Sequence, residues 1–341
     1  VLGIAKFEIN PKGVKIYLEN GSSFVYSKIV IVQDKFNSAL IIKATQPTSK
    51  THYYRNNIEI SNDLNSLLIV NLVDMNNYLA GVIESEGGGG RHIEYYKVQA
   101  IMSRTYAMKN KLRHAKEGFY LCDGVHCQAY HNMLRHTPQI MGAVKETSGK
   151  VLVDKRNELV ASYFSANCGG QTCDASYVWN TSIPYLETFS DTFCIHTHQS
   201  TWTTTIAKAD WQKYLEEEYG VSEKKYGDLI YNFKQVERKA FYIHPSLGIP
   251  LRDLRMKFKL KSTFFSTRLE GNSVVIEGKG FGHGVGLCQE GAMQMAKSGY
   301  TYEQIAYFYF INVRILDYYR NQFFKQRNAI NLSKQELGLK Q

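Results

Sequence analysis

The stretch "YLAGVIESEGGGGRHIEYYKVQAIMSRTY", from Tyr78 to Tyr106, predicts two consecutive helices separated by four glycines. The first helix begins after Asp74, a residue that favours the N-cap position, and stops at the glycines from Gly87. On the helical wheel, Glu86 lies in the middle of the apolar face and Glu84 lies on the opposite side. We therefore expect Glu84 to face solvent and Glu86 to face the core or a cleft.

The second helix is predicted to run from Ile93 to Leu112, with two cations near the centre of its apolar stripe. These are Lys97 and Arg104, which lie on adjacent turns of one face. A cation on an apolar helix face needs a charged partner or a water-filled cleft, unless its aliphatic side chain is long enough to bring the charge to water. Three ionisable groups on the inward faces of two consecutive helices favour a cleft shared by Glu86 and the two cations.

The composition limits the class of protein and of partner. The chain has 341 residues, with 44% hydrophobic and 21% charged, which is ordinary for a globular protein and excludes a disordered one. Its net charge of +10 favours an anionic partner such as nucleic acid, an anionic membrane surface or an acidic glycan. The basic residues are scattered, which argues against a nucleic-acid module. No apolar run approaches the ~20 residues of a membrane span, so we expect no transmembrane segment in this chain.

The overall pattern predicts an α+β fold with a mixed β-sheet core and packed helices. Residues 1–70 alternate apolar and polar positions, and "ENGS" at 19–22 joins two strands as a hairpin. We expect this section to be β-rich and residues 71–318 to form the main domain. Within that domain, the charged residues 206–232 predict a helical insertion with a solvated face, and residues 319–341 form a polar tail.

The stretch "SVVIEGKGFGHGVGLCQEGA" (273–292) predicts a strand, a glycine-rich loop and a helix. Thr301 and Gln304 then form the capping box of a second helix. The loop lacks the spacing of a phosphate-binding motif. Its glycines let the backbone pass close to another group, with His283 held at the apex. His283 is therefore either a functional residue or a structural one that pins the loop.

The stretch "CDGVHCQAYH" (122–131) gathers ligands for a metal ion. Cys122, His126, Cys127 and His131 make a plausible tetrahedral zinc set, although the spacing is not that of a standard zinc finger. A bridge or a buried pair of the two cysteines is an alternative, and His114 is a further candidate ligand. Four protein ligands would make the site structural, whereas three ligands and a water would make it catalytic.

The stretch "FSANCGGQTCDASYVW" (164–179) predicts a strand followed by a Gly-Gly turn. Ser165, Asn167 and Gln171 offer hydrogen bonds of the kind that sugars use. Four cysteines outside the 122–131 stretch are candidates for disulfides whose pairing the sequence does not determine: Cys168, Cys173, Cys194 and Cys288.

Several of these motifs, in the same order, resemble the stage II sporulation protein D family, also called SpoIID/LytB. The matching stretches are "YLAGVIESE", "KVQAIMSRTYA", "CDGVHCQAY", "YFSANCGGQT", "GKGFGHGVGLCQEGA" and "GYTYEQI", which together span roughly residues 70–312. The family's acid falls on Glu86, its lysine and arginine on Lys97 and Arg104. Two departures concern the cleft rim: glycines follow Glu86 where the family usually has Met-Pro, and Glu290 stands where a tryptophan is frequent.

The resemblance implies a cell-envelope or extracellular protein that acts on peptidoglycan. One branch of the family resembles lytic transglycosylases that cut peptide-stripped glycan strands, and another contains modifiers of autolysins. Some members are thought to hold zinc at the cysteine loop, which suits Cys122, His126 and Cys127, and no organic cofactor is implied. We expect Glu86 to be catalytic, and we expect these residues to bind substrate: Lys97, Arg104, Tyr106, Ser165, Asn167, His283 and Gln289.

These observations leave three functional hypotheses. In the first, Glu86 acts as the general acid and base that cleaves the MurNAc–GlcNAc bond and leaves 1,6-anhydro-MurNAc ends. In the second, the protein binds wall glycan without cutting it and activates another autolysin or amidase. In the third, it is a zinc hydrolase centred on the cysteine loop. All three exclude nucleic acid as the partner.

Overall fold

The computed structural model describes residues 3–34, 38–131, 135 and 137–320, and residues 321–341 of the predicted polar tail lie outside this range. Among the described residues, eight strands precede the first helix, and helices and short strands are mixed after it, which confirms the predicted α+β class. Contacts between Cα atoms divide the chain into two compact units. Unit 1 comprises Val1–Gly90 and Asn110–Ser148, and unit 2 comprises Arg91–Lys109 and Gly149–Gln341. Within the described part of the chain, every helix is too short or too polar to cross a bilayer.

The strands are short and are numbered here in chain order. They are β1 (Ala5–Asn10), β2 (Gly13–Leu18), β3 (Ser23–Tyr26), β4 (Lys28–Ile31), β5 (Leu40–Ile42), β6 (His52–Tyr54), β7 (Asn57–Asp63), β8 (Ser66–Leu72), β9 (Lys150–Val153), β10 (Phe164–Ser165), β11 (Thr201–Ala207), β12 (Phe265–Glu270), β13 (Ser273–Lys279), β14 (Leu287–Cys288) and β15 (Arg314–Asp317).

The α-helices are numbered in the same way, and several 3-10 turns lie between them. The α-helices are α1 (Met75–Gly87), α2 (Ile93–Lys109), α3 (Pro138–Glu146), α4 (Ala175–Trp179), α5 (Lys208–Tyr219), α6 (Glu223–Tyr226), α7 (Leu251–Lys257), α8 (Gln289–Lys297) and α9 (Tyr302–Tyr309). The 3-10 turns are Ala115–Glu117, Thr192–Cys194, Gly227–Ile230 and Pro245–Leu247.

Small antiparallel sheets make up the first part of unit 1, in the orders β1-β2-β3, β4-β7-β8 and β5-β6. The predicted "ENGS" turn joins β2 to β3, where Gly21 has a φ of 82° and the Leu18 N–H donates to the Ser22 carbonyl over 2.9 Å. Glycine adopts this left-handed conformation without a steric cost, which is why the hairpin turns there. The buried centre of these sheets contains Val14 and Ile58.

Helix α1 begins and ends where the sequence predicts. The Asp74 carboxylate accepts hydrogen bonds from the Asn76 and Asn77 N–H groups, each over 3.0 Å, and so satisfies donors that the first turn leaves unpaired. Gly88, with a φ of 69°, ends the helix and its N–H donates to the Glu84 carbonyl. Helix α1 packs against α3 within unit 1. The sequence thus fixes the position of the last turn, which carries Glu86.

Helix α2 belongs to unit 2 and is buried along most of its length, on all sides. It packs against β9, α8 and α9. Side-chain hydrogen bonds fasten it there: the Leu152 N–H donates to Thr105 Oγ1 over 2.9 Å, and Ser162 Oγ donates to the Met102 carbonyl over 2.8 Å. The helix ends at Lys109, one turn before the predicted Leu112, and Lys109 Nζ donates to the Leu159 carbonyl.

The charged segment at 206–232 forms α5, α6 and a 3-10 turn beside the antiparallel sheet β11-β13-β12. Its glutamates at 216–218 are exposed, as the predicted solvated face requires. Its other face is fully buried: Trp211 and Leu215 are 0% exposed and belong to a hydrophobic core with Tyr242 and Phe265. This segment therefore contributes to the core of unit 2.

The C-terminal part of unit 2 follows the predicted order of strand, glycine loop and two helices. Strand β10 pairs in parallel with β14, which places Ser165 opposite Cys288. The predicted capping box is present at the start of α9, where the Thr301 and Gln304 side chains each accept a hydrogen bond from the other residue's N–H. The parallel pair therefore brings the "SANCGG" stretch beside the start of α8.

Trp211 provides a test of the core beneath α5. We expect Trp211→Ala to lower the free energy of unfolding by about 3–5 kcal/mol, because it leaves a large cavity. The matched control on the same helix, Glu216→Ala, should change it by less than about 0.5 kcal/mol. Urea unfolding followed by circular dichroism measures both. Equal stability of the two variants would show that this segment does not contribute to the core of unit 2.

Candidate active site

Glu86 lies half-buried on the last turn of α1. Its Oε1 accepts a hydrogen bond from the Ala129 N–H over 2.9 Å. Burial raises the pKa of this carboxyl, while the Ala129 hydrogen bond and the nearby His131 act in the opposite direction and only partly offset it. The carboxyl therefore holds its proton at higher pH than an ordinary glutamate does, as a general acid requires.

Glu84 corrects the helical-wheel prediction, because it is buried, with 6% of its surface exposed. Its Oε2 accepts a hydrogen bond from the Arg135 N–H over 2.8 Å. The same segment also reaches Ser85, whose Oγ accepts from the His131 N–H over 3.0 Å. The helical-wheel prediction for Glu84 failed because a segment far along the sequence covers the polar face of α1.

The two predicted cations have defined partners within unit 2. Lys97 Nζ forms an ion pair with Glu94 Oε1 over 2.8 Å, one turn earlier on α2. The other oxygen of Glu94 accepts from the Tyr302 N–H over 2.8 Å, so the pair is fixed to the start of α9. Arg104 is buried, with 3% of its surface exposed, and donates to the Lys150 carbonyl over 3.0 Å.

Burial lowers the pKa of Arg104 to about 10, which still leaves it charged at neutral pH. Tyr106, the next predicted substrate contact on α2, is 9% exposed. Glu86 belongs to unit 1, and Lys97 and Arg104 belong to unit 2. The cleft that these three residues are predicted to share therefore stays a prediction.

A group of four metal-binding side chains lies in unit 1, and we call it the zinc-loop set: His114, Cys122, His126 and Cys127. Their ligand atoms lie within 4.8 Å of one another. Cys127 Sγ is 3.4 Å from His114 Nε2, and Cys122 Sγ is 3.8 Å from His126 Nδ1. Two thiols and two imidazoles at these separations fit tetrahedral zinc, whose bonds to sulfur and nitrogen are about 2.3 and 2.0 Å long.

Glu117 supports this set from outside it. Its Oε1 lies 2.8 Å from His114 Nδ1, and this contact orients the ring so that Nε2 faces Cys127. The ring of His114 also stacks on Phe119, with 4.8 Å between centroids. Sequence reasoning missed Glu117, although its position three residues after His114 places both on one turn.

His131 corrects the predicted metal set, because it lies outside the zinc-loop set and His114 takes its place. Its backbone N–H is bonded to Ser85, which holds it against α1, and its side chain is close enough to affect Glu86 electrostatically. The cause is chain geometry: the stretch after Cys127 extends towards α1, whereas the 3-10 turn Ala115–Glu117 brings His114 back to the two cysteines.

The "SANCGG" residues in unit 2 differ in how their side chains are used. Ser165 Oγ is buried and has no hydrogen-bond partner among residues 3–34, 38–131, 135 and 137–320. Asn167 is fully buried, and its amide donates to Glu290 Oε2 over 2.7 Å and to Thr197 Oγ1 over 2.8 Å. Its Oδ1 accepts from the Gly169 N–H over 2.7 Å. Asn167 therefore organises this stretch through contacts within the protein.

The third hydrogen-bonding residue predicted here, Gln171, also bonds within the protein. Its Oε1 accepts from the Arg238 N–H over 2.7 Å. Gln289, at the start of α8, is 6% exposed, and its amide nitrogen lies 3.5 Å from the Tyr95 hydroxyl. These contacts do not place the side chain of Gln171 or that of Gln289 on an open surface.

His283 is at the apex of the glycine loop and is packed between aromatic rings. Its ring centroid lies 5.2 Å from that of Trp179 and 6.3 Å from that of Tyr163. Nδ1 accepts from the Val285 N–H over 3.0 Å. Burial, with smaller effects of two arginines, lowers the pKa of His283 to about 4, so the imidazole is neutral at physiological pH. These contacts are those of a residue that pins the loop.

The glycines of this loop allow the close backbone approach that the sequence predicts. Gly280 has a φ of 75°, and a Cβ there would lie 2.6 Å from the Asn167 carbonyl oxygen. The two segments exchange backbone hydrogen bonds between Asn167 and Phe281. A side chain at position 280 would therefore separate the glycine loop from the "SANCGG" stretch.

Comparisons with known proteins give a consistent family assignment. A family model described as stage II sporulation protein matches residues 63–153, which include Glu86 and the zinc-loop set. The chain is 31% identical over 260 residues to an uncharacterized protein of Brachyspira hyodysenteriae, covering 75% of this chain and 70% of that protein. It is 28% identical over 258 residues to stage II sporulation protein D of Bacillus subtilis, covering 71% and 74%.

A further relative has a different name and is longer. The chain is 25% identical over 295 residues to the amidase enhancer of Bacillus subtilis, which covers 70% of this chain but 40% of that protein. The matched family model, together with the relative named stage II sporulation protein D, shows that this chain belongs to the stage II sporulation protein D family.

Proposed function

We propose that this protein is a lytic transglycosylase of peptidoglycan in which Glu86 is the general acid and base. Membership of the family and the amidase enhancer relative support a role at the cell wall, and hence a location in the cell envelope or outside the cell. The observation that carries the proposal is the Glu86 carboxyl, half-buried at the end of α1 and oriented by the Ala129 N–H.

The proposed reaction needs one carboxyl group and no water. Glu86 donates its proton to the oxygen that links MurNAc C1 to GlcNAc as that bond breaks. The C6 hydroxyl of the same MurNAc attacks C1 and forms the 1,6-anhydro ring, and Glu86 takes up the hydroxyl proton. The carboxyl is thereby returned to its starting state. A glycosidase that uses water needs a second carboxyl group on the other side of the sugar.

The environment of Glu86 suits both proton transfers. Since Oε1 accepts from the Ala129 N–H, we assign the transferred proton to Oε2. Burial favours the protonated form before reaction, because the charged form loses solvation. The Ala129 hydrogen bond stabilises the carboxylate that forms once the proton has left. The group is therefore balanced between an acid that donates and a base that accepts.

Cationic side chains and Ser165 supply the proposed substrate contacts. Within unit 2, Lys97 and Arg104 stay the candidates for binding a carboxylate or amide oxygen of the glycan, as charged donors do. Ser165 Oγ, buried without a partner in the described part of the chain, would gain a hydrogen bond from a sugar hydroxyl or acetamido group. The net charge of +10 would attract acidic wall polymer. We do not assign a substrate contact to Asn167, because its amide is fully used within the protein.

The zinc-loop set fits a structural metal. Zinc bound by four protein ligands supplies a rigid cross-link and leaves no open position for water, which weighs against the zinc hydrolase hypothesis. Ala129 follows Cys127 by two residues, so these ligands would fix the segment whose N–H orients Glu86. The alternative of a glycan-binding autolysin modifier is supported by the amidase enhancer relative.

Glu86→Gln separates the enzyme from the binder. It keeps the shape and the Ala129 contact but cannot exchange a proton, so we expect anhydro-muramyl ends from peptide-stripped strands to fall at least about 100-fold. Glu19→Gln, on an exposed turn of unit 1, is the matched control and should retain full activity. Mass spectrometry of the released glycans measures both. Wild-type protein that binds the strands but releases no anhydro ends would support the autolysin modifier instead.

Glu117→Gln tests the outer support of the zinc-loop set. Loss of the carboxylate behind His114 should weaken zinc affinity by about tenfold, at the low end of the range for such groups because Glu117 is 60% exposed. Competition with a chromophoric chelator measures the affinity, and Glu19→Gln again serves as control. Unchanged affinity would mean that Glu117 does not orient the ligand.

A further inference from the structure

Unit 2 contains a second convergence of metal-binding side chains, which we call the unit 2 cluster: Cys168, Asp191, Cys194 and Cys288. All four residues are 0% exposed. One ligand atom from each lies within 4.8 Å of the others. Cys168 Sγ is 3.4 Å from Cys194 Sγ and 3.2 Å from Asp191 Oδ2. In tetrahedral zinc sites, neighbouring sulfurs are roughly 3.8 Å apart, so an ion would require only small shifts.

The cluster joins three segments that are far apart in the sequence. Cys168 follows β10, Asp191 is the N-cap of the 3-10 turn Thr192–Cys194, Cys194 ends that turn, and Cys288 ends β14. The parallel pairing of β10 with β14 brings the first and last segments together. A bound ion would therefore cross-link the "SANCGG" stretch to the start of α8.

Backbone N–H groups converge on one of the sulfurs. Cys288 Sγ accepts from the Cys168 N–H over 3.3 Å and from the Gly291 N–H over 3.4 Å. The second donor belongs to the first turn of α8, for which Cys288 is the N-cap. Backbone N–H groups directed at a sulfur are the kind of outer support that orients a metal-binding side chain.

The carboxylate has the outer support expected of a ligand. Asp191 Oδ2 accepts from the Tyr309 hydroxyl over 2.9 Å, and Oδ1 accepts from the Phe193 N–H over 3.0 Å. Helix α8 reaches this carboxylate only because residue 291 is glycine: a Cβ there would lie 2.7 Å from Asp191 Oδ2. Both the orientation of Asp191 and the space around it are therefore fixed by its neighbours.

We propose that the unit 2 cluster binds a structural Zn²⁺ ion through Cys168, Cys194, Cys288 and Asp191. Three sulfurs and a carboxylate are donors that zinc accepts, and binding would release the thiol protons to solvent. A divalent cation also offsets the cost of holding a buried carboxylate among thiolates. A Cys168–Cys194 disulfide would use two of the four donors and give no role to the donors around Cys288 and Asp191. The proposal is independent of the glycan chemistry.

Zinc stoichiometry tests the proposal. The full chain, expressed with zinc and dialysed, should contain one zinc ion for each of the two groups by elemental mass spectrometry. Cys194→Ser should lose one ion, and Cys127→Ser should lose the other. Cys173→Ser is the matched control: Cys173 is buried and lies outside both groups, so this variant should keep both ions. If the Cys127→Ser variant contains no zinc at all while the wild-type protein contains zinc, the proposal is overturned.

A second measurement leaves the unit 2 cluster intact and so does not depend on the folding of its variants. The double variant Cys122→Ser with Cys127→Ser should bind one Co²⁺ ion and show thiolate-to-cobalt charge-transfer absorption in the near ultraviolet. Absence of that absorption contradicts the proposal. Mass spectrometry of the unreduced wild-type chain provides the other contrary outcome, which is a peptide pair linked between Cys168 and Cys194.

Discussion

The proposed chemistry depends on the hydrogen bond from the Ala129 N–H to Glu86 Oε1 and on the burial of that carboxyl. Burial keeps the proton on the carboxyl, and the single N–H donor stabilises the charge once the proton has left. The same burial costs stability. The pKa of this carboxyl is higher in the folded state than in the unfolded state, so its contribution to the free energy of unfolding is fully present below the unfolded pKa. That contribution is lost as the pH rises through the folded pKa.

Each unit contains one group of side chains that could bind a metal ion, among the residues that the structure describes. In unit 1, a metal bound by the zinc-loop set would fix the chain just before Ala129, so the geometry of the proposed catalytic carboxyl would depend on a metal that takes no part in the proposed chemistry. In unit 2, the proposed second zinc would fix the stretch that carries Ser165. Short strands and long connections leave little regular structure to hold these segments, which makes side-chain cross-links effective there.

Local signals in the sequence predicted the elements that position the site, and long-range packing accounts for what it missed. Asp74, Gly88 and the capping box at Thr301 act through neighbours in the chain, so α1 and α9 begin where expected. Glu84 was misassigned because the Arg135 backbone contacts it, and a helical wheel contains no information about that contact. His114 and Asp191 join their clusters through chain geometry that spacing does not encode.

The most direct measurement is the titration of the Glu86 carboxyl in the folded wild-type protein, followed by carbon-13 NMR of its side chain and assigned with Glu86→Gln. We expect a midpoint above the value of about 4.3 for an unperturbed glutamate, so that a larger fraction of the protein carries the Glu86 proton near neutral pH. A midpoint at or below that value would contradict this expectation, because Glu86 would then lose its proton as readily as an exposed glutamate does.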